Sequence, residues 1–253
     1  NKAAQEWKEQ KAQELVISGL KEKVASLPEN KIGILPPSPG GPAHKFFQQI
    51  GLLNKSVMIS NDKLVDKSFF NPKNIPVAIY LDGEDYVYTV KSAGDGAAAI
   101  EQYLNEGGMV VLLASQPWPM FYATGTGPRK ADALTGKLGL PLSMALEGTP
   151  SEKLSIKINP QQSIIKANDV EFPFPEGDTR LRAILRSQVK AKYTPIATVV
   201  GDAGKDYGDA AGLIEFPNGS KILYIAHILQ NDPKNGFEIR KTVAEYLVEL
   251  LRK

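Results

Sequence analysis

Six consecutive residues, Met109 to Ala114, carry no polar side chain, and no other segment limits the folds open to this chain as strongly. A strand that is apolar on both faces has to be covered on both, whereas a sheet with one wet face alternates apolar and polar residues. A helix-forming stretch, Asp95 to Asn105, precedes the run and is stopped by Gly107 and Gly108. Shorter apolar runs recur at Lys31–Leu35, Ser56–Ser60, Val77–Leu81, Ile196–Val200, Ala211–Phe216 and Lys221–Ala226, with helical stretches near Ala43–Ile50 and Gly236–Leu251. Such alternation is the βα order, and it predicts an α/β domain of three layers, a largely parallel sheet with helices on both faces. Pro217, Asn218 and Gly219 predict a hairpin between the last two strands. The middle is less regular: Leu154–Ile158 and Ser163–Lys166 read as antiparallel or edge strands. Gly125–Pro128 reads as a turn, Lys130–Leu138 as a short helix, and Arg180–Ser187 as a short helix or strand.

The length, 253 residues, suits one such domain plus an extension. Residues 1–30 form the extension. They are rich in Ala, Gln, Glu, Lys and Leu, without proline before Pro28, and read as a helix. Its five lysines balance five glutamates, so it is not a basic arm for nucleic acid. Its apolar positions, Trp7, Leu15, Ile17, Leu20, Val24 and Leu27, leave two uses open: packing on the domain at 31–253, or joining copies of the chain. Over the whole chain 30 basic residues face 28 acidic ones, too even for a field that draws nucleic acid. No apolar run reaches the roughly 18 residues that span a bilayer. With no cysteine and two histidines, disulfides, thiolate zinc and cysteine nucleophiles are excluded and no cofactor is expected.

In an open parallel sheet, ligands sit beyond the carboxyl ends of the strands. Three strand ends carry candidate residues. Leu81-Asp82-Gly83-Glu84-Asp85-Tyr86 offers a glycine where backbone can approach a ligand, with Glu84 and Asp85 beside it. As a metal site these acids are too few. Ala114-Ser115-Gln116-Pro117-Trp118 places Ser115 after the central strand, as a nucleophile elbow would, yet without flanking glycines. Trp118, Phe121 and Tyr122 could line a pocket or fill a satellite core under a long loop. His227 follows the last strand, while His44 reads as a surface residue. The expected ligand-binding set is Gly83, Glu84, Asp85, Ser115, Gln116, Trp118 and His227; Ser115, His227 and Glu84 are the catalytic candidates.

Taken together, these ends resemble the class I glutamine amidotransferase-like superfamily, in particular its biotin-protein-ligase N-terminal-type and trehalose-utilisation-type members, over Lys31–Lys253. The resemblance implies a flavodoxin-like sheet. Gly83 would match the glycine of the oxyanion loop. Tyr103 to Gly108 followed by Met109–Ala114 would match the segment before the cysteine elbow, with the cysteine position falling on Ala114. His227-Ile228-Leu229 would match His-Pro-Glu, with Leu229 where the acid belongs. Without thiol or acid, glutaminase chemistry is excluded. What remains is a non-catalytic module for ligand binding or assembly, or alternatively a serine hydrolase using Ser115 and His227, acting in carbohydrate metabolism. Tyr207–Gly212 is also similar to domains that accompany carbohydrate-active modules in secreted bacterial proteins, which implies export to the periplasm or beyond.

Overall fold

The computed structural model describes residues 2–37, 39–120, 122–125 (backbone only), 134–143, 152–171 and 180–253. In chain order the elements are α1 (Lys2–Ala25), β1 (Ile32–Ile34), α2 (Gly41–Gln49), β2 (Ser56–Met58), α3 (Asn61–Leu64), β3 (Val77–Tyr80), β4 (Asp85–Thr89), α4 (Asp95–Asn105) and β5 (Met109–Leu112). They continue with β6 (Tyr122–Gly125), α5 (Leu134–Lys137), β7 (Leu154–Ile158), β8 (Val170–Glu171), β9 (Lys192–Gly201), β10 (Asp206–Glu215), β11 (Lys221–Ile225), α6 (His227–Gln230) and α7 (Gly236–Leu251).

Nine strands form one sheet in the order β2-β1-β3-β5-β11-β10-β9-β7-β8. The first five are parallel and the rest pair antiparallel, so seven of the nine point the same way. The expected largely parallel α/β architecture is present. All four residues of β5 are buried, between β3 and β11, as the apolar run requires. Chain direction across the sheet reverses after β2, and right-handed crossovers therefore put α2 on one face and α3 and α4 on the other. Contacts agree: α7 packs against α1, α2 and α6, and α3 against α4. The Pro217–Gly219 turn joins β10 and β11, with Gly219 at φ +88°.

Three local expectations differ. Ser163–Lys166 is loop, because the Gln162 side chain binds the N–H groups of Ile164 and Ile165 and the Ile165 carbonyl, groups a ladder would need. The short partner of β7 is β8 instead. Arg180–Ser187 holds one bridging residue, Ile184, and leads into a 3-10 turn. The polar crossover after Leu81 contains β4, which pairs in parallel with β6. Its far end is tied by Asp95, whose carboxylate accepts the N–H groups of Val90, Lys91 and Ser92 at 2.7, 2.9 and 3.0 Å. Residues 126–133, in the expected turn and helix, lie outside the described residues.

The second half of the extension packs on the domain, the first of the two uses its composition allows. Leu20, Val24 and Leu27 are buried, and Arg252 of the C-terminal end donates to the Lys23 carbonyl and Ser26 Oγ. From Lys2 to Leu15 the helix is exposed, with Trp7 61% and Leu15 75% accessible.

The antiparallel half is organised by a buried acid that the sequence did not single out. Asp209 is fully buried in β10 and accepts from Arg186 at 2.6 and 2.8 Å, from Tyr193 OH at 2.5 Å and from Thr198 at 2.6 Å. Asp206 takes the other edge of the same guanidinium. Within Tyr207–Gly212, the segment similar to domains beside carbohydrate-active modules, Asp209 thus builds an internal ion knot. Asp209→Ala should cost about 3 kcal/mol, since it strands a partly buried guanidinium and two hydroxyls, and a urea midpoint at unchanged slope checks this.

Acid behaviour follows from Asp95. Burial opposes its ionisation, but the N–H groups of Val90, Ser92 and Lys91 outweigh that and hold its pKa at about 2 against the usual 3.8. A depressed carboxylate contributes stability that is present above the unfolded value and lost as pH falls through the folded one. Wild-type stability should therefore decline between about pH 4 and 2, and Asp95→Asn should flatten that decline in a pH series of thermal melts.

Candidate functional site

The ends of β1, β3, β5 and β11 lie side by side, in register: Tyr80 is level with Leu112, and Leu112 with Tyr224. Their exit loops therefore form one rim. The first loop contributes Gly40 and Gly41 to this rim. Gly40 N–H meets the Leu81 carbonyl at 3.3 Å, and a side chain at Gly41 (φ +78°) would come within 2.6 Å of Ser115 Cβ. Glycine is required there both for the positive φ and for the close approach.

The second loop is held from below. Tyr80 OH, buried at the end of β3, donates to the Gly83 carbonyl at 2.6 Å and also reaches the Asp85 carbonyl. Burial, then the charges of Asp82, Asp85 and Glu84, keep that hydroxyl protonated well beyond the ordinary tyrosine range. Asp82 itself is pushed above the usual carboxylate value, first by burial and further by the charge of Asp85, against the opposing Gly83 N–H. Asp82 was not among the sequence candidates; its half-burial is set by the Tyr80 anchor, which a local motif does not display. Glu84 is half-buried and makes no hydrogen bond with a described residue, while Asp85 opens β4.

At the end of β5 the chain makes bends and turns through Ser115–Met120, with no helix. An elbow presents its nucleophile at a strand-to-helix turn; here the Ser115 N–H donates to the Asp82 carbonyl at 2.8 Å. Gln116 is exposed and lies beside Gly83, where an added Cβ would sit 3.2 Å from Gln116 Cγ. Trp118 is half-buried, with the Arg182 guanidinium 4.4 Å and that of Arg180 5.8 Å from its ring centre. It stacks on arginine as a cation–π partner. Phe121 and the Tyr122 side chain lie outside the described residues.

His227 is buried at the first position of α6. Among the described residues no hydrogen bond joins its ring to Ser115 Oγ. His44, expected on the surface, is half-buried in α2. The residue that ties the rim together is three positions past His227. Gln230 is fully buried; its Nε2 donates to the carbonyls of Leu113 and Ala114, both at 2.7 Å, and its Oε1 accepts from Ala43 N at 3.2 Å. One amide so closes β5, α2 and α6 on each other. The position of Gln230 directly after the apolar pair Ile228-Leu229, three residues beyond His227, was the available signal. Asn231 adds a 3.5 Å contact to the Ser115 carbonyl.

A cavity of about 690 Å³ lies beside α3 and α4, lined by Asp62, Lys91 and Asp95 among others. Its acids are already engaged, Asp62 by Lys91 at 3.2 Å and Asp95 by backbone.

No family model and no curated protein matches this chain. Solved structures do. It is similar to the β-galactosidase of Bacillus circulans sp. alkalophilus (TM-score 0.50, 14% identity, over 88% of this chain and 31% of that one). It is similar also to the cold-adapted β-galactosidase of Rahnella sp. R3 (TM-score 0.49, 12% identity, 89% and 32%). A third structural neighbour is a ThuA-like protein of Bacteroides uniformis (TM-score 0.48, 12% identity, 88% and 92%). The chain spans about a third of the length of the two β-galactosidases. At such identity the Bacillus circulans likeness shows the fold alone.

Gln230→Leu should cost about 3 kcal/mol, because it orphans two buried carbonyls and one N–H. Hydrogen exchange should accelerate at the amides of 113–120 before the rest of the sheet; unchanged exchange there would deny the amide its closing role.

Proposed function

We propose that this chain is a non-catalytic α/β module with the architecture of the class I glutamine amidotransferase-like group, serving ligand binding or assembly within an exported protein. One observation carries the reading: at the end of β5, where that group keeps its nucleophile, Ser115 has its N–H committed to the Asp82 carbonyl and no bond to His227 among the described residues. A serine hydroxyl is a weak nucleophile without an adjacent base. Catalytic hydrogen bonds can be long in the free state, so the assay below decides whether Ser115 is activated. The absence of cysteine supports the same conclusion.

The export part of the reading rests on the sequence resemblance. The likeness to the Bacillus circulans β-galactosidase supports a carbohydrate-related setting, in which this chain would correspond to about a third of a longer enzyme.

Steady-state assays with nitrophenyl esters and nitrophenyl glycosides, on wild type and Ser115→Ala, test the proposal. Neither protein should turn over substrate above the buffer rate. Turnover by wild type that Ser115→Ala and His227→Ala each abolish would establish the serine hydrolase instead.

A further inference from the structure

The opposite end of the sheet, where the parallel strands begin, carries a second feature. A cavity of about 380 Å³ lies under the starts of β3, β5 and β11, lined by Val77, Met109, Pro28, Pro76, Leu250 and Leu251, with Gly219 and three lysines, Lys31, Lys221 and Lys253, completing the wall. None of its ten lining residues is an Asp or a Glu. The floor is rigid: Val77 N–H meets the Lys31 carbonyl at 3.4 Å, Met109 N–H the Pro76 carbonyl at 3.2 Å, and Lys221 N–H the Gly108 carbonyl at 3.2 Å.

The lysines are not equivalent. Lys221 lies 3.5 Å from Glu215, and Lys253 lies 3.9 Å from Glu249. Lys31 is half-buried and has no ion-pair partner among the described residues. A neighbouring hollow of about 510 Å³ shares Lys221, Leu250 and Lys253 but adds Glu245 and Glu249, so the positive end of the groove is the one at Lys31. Apolar walls with a few converging polar groups, in this size range, are the usual composition of a small-molecule site.

We propose that this cavity binds a small amphipathic carboxylate, with its alkyl or aryl body against Val77, Met109, Leu250 and Leu251 and its carboxylate on Lys31. Burial of the body provides most of the affinity, and the lone ammonium gives the preference of sign. The site is independent of the Ser115–His227 rim, and neither proposal depends on the other.

Sodium decanoate below its micellar concentration is the probe, followed by the 13C-methyl resonances of the four methionines. The Met109 methyl should shift saturably, while Met58, exposed on the edge strand, should not. Decyltrimethylammonium, with the same tail and opposite charge, should shift Met109 only at concentrations about tenfold higher or more. Lys31→Gln should weaken decanoate about tenfold, the loss expected for one charge-assisted hydrogen bond, and Lys31→Arg should retain it. A Met109 resonance that ignores decanoate, that responds equally to the cation, or that responds unchanged in Lys31→Gln overturns the proposal. Should Lys31→Gln fail to fold, the comparison of the two amphiphiles on wild type decides alone.

Discussion

Burial of β5 on both faces is the constraint from which the rest follows. Four apolar residues between β3 and β11 need helices above and below them. That requirement fixes the layer order, the direction of the crossovers and the convergence of four strand ends on one rim. At that rim the apolar run ends in carbonyls with no strand partner, and a buried carbonyl left unpaired is costly. Gln230 resolves the problem with one side chain, and in doing so locks α2 and α6 against the end of β5. The rim is therefore a closed joint, with a half-buried serine walled by Gly41.

On the function proposed above, such a joint serves as a scaffold rather than as an acyl-transfer centre. Catalysis at a strand end needs donors that point at the reacting atom and a base aligned on the nucleophile. Here the Ser115 N–H and the Gln230 amide hold protein atoms instead. Buried acids elsewhere are used in the same way, Asp95 under the β4 turn and Asp209 in the antiparallel half, each closing backbone or side chains within the fold.

Much of this architecture was legible in the residues. Apolar runs and helix stops placed β3, β5, β7, β11, α4 and α7 to within two residues, because both are local signals. The hairpin at Pro217–Gly219 was equally local. What stayed hidden depends on partners distant in sequence. Ser163–Lys166 has strand-like residues, yet Gln162 consumes its backbone groups. β4 begins with acids and a glycine that read as loop, and it becomes a strand only because Tyr80 folds the loop back and 122–125 runs alongside. Of the candidate site, the sequence located the strand ends that carry Gly83, Ser115 and His227, but not the Pro36–Gly41 loop beside Ser115 or the amide of Gln230. Both act through contacts made across the sheet.

Treatment with a fluorophosphonate that labels activated serines, followed by peptide mass spectrometry, tests the central claim most directly. A silent rim predicts no adduct on Ser115 under conditions that fully label a serine hydrolase. A stoichiometric adduct on Ser115, lost in His227→Ala, would show an activated nucleophile and contradict it.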